Sequence, residues 1–290
     1  MTHRCYACAP GNPDRVFTYE GDRGAAHVPA RFSGPPGSAN GGIAVGALAC
    51  PARRALGLAG AAGLTVTARL SAPIVLEREH SVELAGLDAV GASVALVHGD
   101  ATVIAATVRK DDAPVEGDPA LALLGELARV QVPDRPPFFE ETGDHPIPGC
   151  FSCGPRHPDG LHIYPRVAAD GVTCAPWRPA AAFDDGDGSI SPMIVASALD
   201  CSSGICMPVQ LQRDLLDEDR FFLLGSLEVR YLRPAPVERD YRVAAQARRR
   251  DGRKFFGVSA LFDAGGTPYA FAQATWIVAG ITRSEAFGSR

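Results

Sequence analysis

The chain has 290 residues, enough for two domains at roughly 150 residues each. With 46% apolar and 21% charged residues it reads as a soluble globular protein, and no apolar run is long enough to cross a bilayer. A net charge of −5 excludes a global attraction to nucleic acid or acidic membranes. The eight cysteines do not suit a secreted disulfide scaffold, because a chain of this size buries a core without staples.

The start, Met1-Thr2-His3-Arg4-Cys5, lacks the apolar core of a signal peptide, so a cytoplasmic location is expected. A turn-rich opening with a Cys5-x-x-Cys8 pair and a short strand comes first. A Ser/Gly-rich turn, Ser38-Ala39-Asn40-Gly41-Gly42, then opens an apolar helix predicted to run from Gly42 to about Gly57. Strands are predicted over Leu64–Leu70, Glu79–Leu84, Ala92–His98 and Thr102–Lys110, with a tight turn at His98-Gly99-Asp100. A stretch rich in proline and acid follows, with one short helix around Pro119–Val130. Then the series starts again. There is a Cys150-x-x-Cys153 turn, a helix from Pro192 to about Met207, and strands over Phe222–Leu232, Asp240–Arg248, Lys254–Asp263 and Pro268–Val278. Alternation such as Leu227, Val229, Tyr231 fits antiparallel strands with one face buried. The tail after Gly280 reads as loosely ordered.

The second series is a copy of the first. Cys5-Tyr6-Ala7-Cys8, Pro13-Asp14 and Tyr19 recur as Cys150-Phe151-Ser152-Cys153, Pro158-Asp159 and Tyr164, all at an offset of 145. Ala47-Leu48-Ala49-Cys50 recurs as Ala198-Leu199-Asp200-Cys201 at 151. Leu64-Thr65-Val66 faces Leu227-Glu228-Val229 at 163, and Thr102 faces Thr267 at 165. Matches in one order with slowly growing offsets indicate an internal duplication. The expected units are residues 1–112 and 146–280, joined by 113–145 and followed by a tail, 281–290.

A long apolar helix followed by an antiparallel meander, occurring twice, resembles the hotdog thioesterase superfamily in its fused double form. The residues carrying the resemblance are Ser38-Ala39-Asn40-Gly41-Gly42, Leu199-Asp200-Cys201, Gly149-Cys150-Phe151-Ser152-Cys153-Gly154 with Asp159-Gly160-Leu161, and Val229-Arg230-Tyr231-Leu232-Arg233-Pro234. The resemblance implies an α+β fold, a tandem double hotdog with two antiparallel sheets, each wrapped on a central helix. It implies hydrolysis of acyl-CoA or acyl-carrier thioesters with no cofactor beyond the coenzyme A of the substrate. Non-hydrolytic members share the fold, so the fold does not decide the reaction.

Asn40-Gly41-Gly42 sits at a helix N-terminus, where the first amides lack internal partners and the dipole adds positive character. Such amides can form an oxyanion hole; a plain Asn cap with a Gly-rich turn has the same signature. Asp200 falls in an otherwise apolar helix, where burial would raise its pKa and suit it as a general base. The duplication places position 40 against 191 and 49 against 200. One copy therefore has Asn40-Gly41-Gly42 with Ala49; the other has Ser191-Pro192-Met193 with Asp200. In the resembled family the turn and the acid come from opposite subunits. That implies one composite site, Asn40, Gly41 and Gly42 with Asp200, and a dead counterpart. Ser202 and Ser203 are candidates for holding a water, and Arg249 and Arg250 for holding coenzyme A phosphates; a solvated hairpin end explains the basic run equally well. Cys5, Cys8, Cys150 and Cys153 have spacings that suit a four-thiolate zinc site. Duplication of a cysteine-bearing turn explains them without a metal, and none is expected. A dehydratase would want a histidine with its acid, which neither helix carries. A non-catalytic acyl binder is the alternative from another class. Nucleic-acid and membrane partners are not expected, and no residue points to a homodimer, although one is compatible with the pattern.

Overall fold

The structure is a computed structural model and describes residues 5–21, 23–110, 119–142 and 145–287. The first four residues, the acidic start of the linker at 111–118 and the last three residues lie outside that set. The first half contains β1 (Phe17–Glu20), β2 (Arg23–His27), α1 (Gly41–Ala47), α2 (Ala49–Leu56), β3 (Leu64–Leu70), β4 (Glu79–Ala85), β5 (Gly91–His98) and β6 (Ala101–Lys110). Two linker helices follow, α3 (Pro119–Ala128) and α4 (Phe138–Thr142). The second half contains β7 (Arg166–Ala169), β8 (Val172–Trp177), α5 (Pro192–Ile205), α6 (Val209–Asp217), β9 (Phe222–Tyr231), β10 (Tyr241–Asp251), β11 (Lys254–Asp263), β12 (Pro268–Val278) and α7 (Arg283–Phe287).

The strand order is β1-β2-β4-β5-β6-β3-β9-β12-β11-β10-β8-β7. Read from each end it is the same series, so the topology repeats with the duplication. The expected two sheets are in fact one continuous twelve-stranded sheet. Its halves join through an antiparallel ladder of β3 and β9, with Val66 opposite Val229 and Ala68 opposite Leu227. The physical reason is the edge: each of these strands would otherwise present a row of unpaired amides and carbonyls.

Helix α5 is buried at every position and lies against β8 to β12. The predicted helix from Gly42 to Gly57 is broken at Leu48 into α1 and α2. Pro51 accounts for the break. It has no N–H for the Ala47 carbonyl four residues earlier, and its ring crowds that carbonyl. The matching residue in α5 is Ser202, and α5 runs on unbroken. The three glycines of α1 each cost about 1 kcal/mol of intrinsic helix propensity. They allow α1 to approach α5 closely instead. A methyl group on Gly42 would lie 2.5 Å from the Ala196 carbonyl oxygen and 2.6 Å from Ser197 Cα; one on Gly46 would lie 2.6 Å from Met193 Cα. Backbone atoms cannot step aside, so Gly42→Ala is expected to destabilise the fold by about 1–3 kcal/mol, read as a lowered urea midpoint.

The linker covers one face of the second half. Leu124 and Leu127 of α3 pack with Val258, Ala260, Phe262 and Phe271. Arg242 donates to the carbonyls of Ala128 and Val130 at the end of α3, where a cation is favourable. The tail is more structured than its composition suggests. Thr282 and Glu285 form a reciprocal cap at the start of α7, and the Arg283 and Ser284 amides donate to Asp219. No single helix among the described residues is long and apolar enough to cross a membrane.

Candidate active site

Asn40 is the N-cap of α1. Its Oδ1 accepts from the Ile43 amide at 3.0 Å and from the Ser197 hydroxyl of α5 at 3.0 Å. Gly41 begins the helix half-buried, with its amide at the positive end of the helix dipole. The next amide, that of Gly42, donates to Asp200 Oδ2 at 2.7 Å. Asp200 lies 158 residues away, on α5 in the other half. Its residue is 1% exposed, and its Oδ1 is buried without a hydrogen-bond partner in the protein.

Burial pushes the Asp200 carboxyl up to about 8; the Gly42 amide and the nearby Asn40 carboxamide pull the other way by favouring the charged form. A carboxyl poised there exchanges a proton near neutral pH, as a general base must. The other face of the turn is covered by Leu224 of β9. A methyl group on Gly41 would lie 2.6 Å from Leu224 Cδ2 and 3.4 Å from Asp200 Oδ2. Leu224 thus packs directly against Gly41 and leaves no room there for a side chain.

The structure brings together Asn40, Gly41, Gly42 and Asp200. It places Ser202 and Ser203 differently. Both are buried, but the Ser202 hydroxyl donates to the Ala198 carbonyl and the Ser203 hydroxyl to the Asp200 carbonyl. This back-bonding within the helix is a common way for buried serines to satisfy themselves. Ser203 Oγ also accepts from the Trp276 indole at 3.0 Å. Arg249 and Arg250 lie exposed on the β10–β11 hairpin. The Arg249 guanidinium sits 3.8 Å over the Phe256 ring, and Arg250 Nε donates to the Gly252 carbonyl. Residues not foreseen from sequence are Ser197, which fixes Asn40, and Leu224. Ser197 and Asp200 are three apart and share a helix face, a signal that was legible. Leu224 carried none.

In the counterpart region, Pro192, Met193 and Ala49 are buried, and Gly46 abuts Met193. The Ser191 hydroxyl makes no cap and is buried without a partner.

The four cysteines of the two Cys-x-x-Cys turns do not gather into one site. Cys5 and Cys8 meet Cys50 of their own half, and Cys150 and Cys153 meet Cys201 of theirs. Each turn packs on the helix of its own copy, which keeps the two pairs apart.

No protein-family model and no curated protein matches the chain. Solved structures do. An acyl-CoA thioesterase II from Mycobacterium marinum superposes with a TM-score of 0.57 at 11% identity, over 91% of this chain and 95% of that one. The tesB protein of Mycobacterium avium subs paratuberculosis gives 0.53 at 12%, over 91% and 95%. A conserved protein with a hot dog fold from Alicyclobacillus acidocaldarius gives 0.52 at 12%, over 92% and 96%. At these identities the likeness is one of fold: the chain shares the hot dog fold of these structures.

Proposed function

We propose that the chain is a tandem double hotdog, with units at 1–112 and 146–280, that hydrolyses acyl thioesters at one composite site between its halves. The observation that carries this reading is the Gly42 amide donating at 2.7 Å to the buried Asp200 carboxylate of the other half. Asp200 acts as base, or as the carboxylate that attacks the carbonyl. The Gly41 amide, at the positive end of α1, receives the oxyanion. Fold neighbours named acyl-CoA thioesterase support acyl-CoA as the substrate class. An acyl chain enters by displacing the Leu224 side chain from above Gly41. Two features favour a second reading, a non-catalytic acyl-ligand binder: the Gly42 amide is already engaged, and Leu224 seals the turn.

A screen of acyl-CoA thioesters of increasing chain length, monitored by release of free thiol, tests the proposal. Turnover on at least one length is expected. Saturable binding without thiol release on every length would favour the binder.

Arg249 and Arg250 are proposed to hold the phosphates of coenzyme A. Their guanidinium groups lie 3.8 and 5.1 Å from the Phe256 and Phe255 rings, and such groups suit phosphate oxygens. Neutralising both is expected to raise KM for acyl-CoA roughly tenfold, about 1.4 kcal/mol, and to leave a short pantetheine thioester unaffected. Equal losses on both substrates would remove the assignment.

A further inference from the structure

No cysteine takes part in the chemistry proposed for Asp200, and the fold sorts six of the eight into two triplets. The sulfurs of Cys5, Cys8 and Cys50 lie within 4.8 Å of one another, as do those of Cys150, Cys153 and Cys201. Cys5 Sγ is 3.1 Å from Cys8 Sγ and 3.2 Å from Cys50 Sγ; Cys150 Sγ is 3.6 Å from Cys201 Sγ. The triplets are images of each other under the duplication. Both pairs sit on the same backbone turn: the Ala9 amide donates to the Cys5 carbonyl and the Gly154 amide to the Cys150 carbonyl, each at 2.8 Å. The third cysteine comes in each case from the central helix, Cys50 from α2 and Cys201 from α5.

The matched positions around the candidate active site differ between the halves, with Asn40, Gly41, Gly42 and Ala49 standing against Ser191, Pro192, Met193 and Asp200. The three matched cysteine positions do not differ. Packing alone asks only for a small apolar side chain at each, and Ala49 beside Cys50 shows that alanine fits this part of the helix.

The geometry suits a thiolate-binding ion. Zinc held tetrahedrally at about 2.3 Å from each sulfur sets the sulfurs about 3.8 Å apart; the 3.6 Å between Cys150 and Cys201 is close to that, and the 3.1 and 3.2 Å contacts of Cys5 would open by more than half an ångström to admit the ion. Donors stand around the sulfurs, as around ligating thiolates in general. Asn40 Nδ2 is 3.6 Å from Cys201 Sγ and 3.8 Å from Cys150 Sγ, and the Tyr19 hydroxyl is 3.7 Å from Cys50 Sγ. The two triplets differ in access. The first borders a broad cleft lined also by Tyr19, Arg15 and Arg54, and Cys8 is half-exposed. The second is closed, with Phe138 of α4 packed in one cluster with Cys150, Cys153 and Cys201.

We propose that each half binds one zinc ion through its three cysteines, Cys5, Cys8 and Cys50 in the first and Cys150, Cys153 and Cys201 in the second. The fourth position of the first ion faces the cleft and takes water. Binding releases the thiol protons and ties each opening turn to the helix of its own half.

The full chain, purified without chelator, should carry about two zinc ions as measured by plasma mass spectrometry. Cys8→Ser and Cys153→Ser should each carry one, and the double variant none. Cobalt in place of zinc should give a thiolate-to-metal charge-transfer band that falls by about half in each single variant. Should a variant fail to fold, the unmutated protein still decides: a mercurial reagent should release both ions as it modifies the six ligand cysteines. Fewer than two ions per chain after reconstitution with zinc alone would overturn the proposal. So would a Cys5–Cys8 or Cys150–Cys153 disulfide in anaerobically handled protein.

Discussion

Asp200→Asn is expected to lower thioester turnover by about 10²- to 10⁴-fold, the usual contribution of a positioned general base. Asparagine keeps the shape of the side chain, and its carbonyl oxygen can still accept from the Gly42 amide that now meets Asp200 Oδ2 at 2.7 Å. The helix pair should therefore stay together. What is lost is the basic oxygen: Asp200 Oδ1, buried and without a protein partner, is the atom left to take a proton from water or to attack a carbonyl. Steady-state thiol release from an acyl-CoA substrate, with thermal unfolding and ligand affinity measured on the same protein, separates the two effects. A large fall in kcat with little change in the melting temperature or in binding is the expected outcome. Normal turnover in this variant would sink the composite site and leave the binding role as the better account.

The largest expected effect on stability lies elsewhere between the halves. Arg53 of α2 and Asp185, in the loop before α5, form an ion pair at 2.6 Å with side chains 1% and 3% exposed. Arg53 also donates to the Ala59 carbonyl, and Asp185 Oδ1 accepts from the Tyr6 amide at 3.0 Å. Burial pushes the Asp185 carboxyl up to about 6, with Arg53 opposing that rise. Taking such a pair out of water offsets much of its attraction, so the intact pair is a weak source of net stability. Removing one partner is different, because an uncompensated buried charge remains. Arg53→Leu is expected to cost about 3–5 kcal/mol, read as a lower urea midpoint at unchanged slope. Arg53→Leu with Asp185→Leu should recover most of that loss, the remainder being the orphaned Tyr6 amide. A single variant as stable as the parent would mean that solvent reaches the pair.

Much of the fold was legible because its signals are local. Alternating apolar residues placed β3, β11 and β12 at their observed bounds. The offset of 151 set Asp200 against Ala49, and with that register the resemblance to the hotdog superfamily implied that the acid would meet the glycine turn of the other half. The break at Leu48 was legible too, since Pro51 removes a helix hydrogen bond wherever it stands, but the apolar run around it reads as one helix. The serine hydroxyls turned back onto the Ala198 and Asp200 carbonyls, a choice that any buried helical serine offers and that only the packed neighbours settle.

By itself the sequence determined the strands, the capped helices and the duplication, each a matter of neighbours a few residues apart or of one segment matched to another. The tertiary structure decided what meets across long stretches of chain. It joined β3 to β9 into one sheet, paired Arg53 with Asp185 over 132 residues, set Leu224 over Gly41, and gathered Cys50 with Cys5 and Cys201 with Cys150. Those contacts leave no periodicity in the sequence. They exist only once distant segments are packed, as does the close approach of α1 to α5 at Gly42 and Gly46.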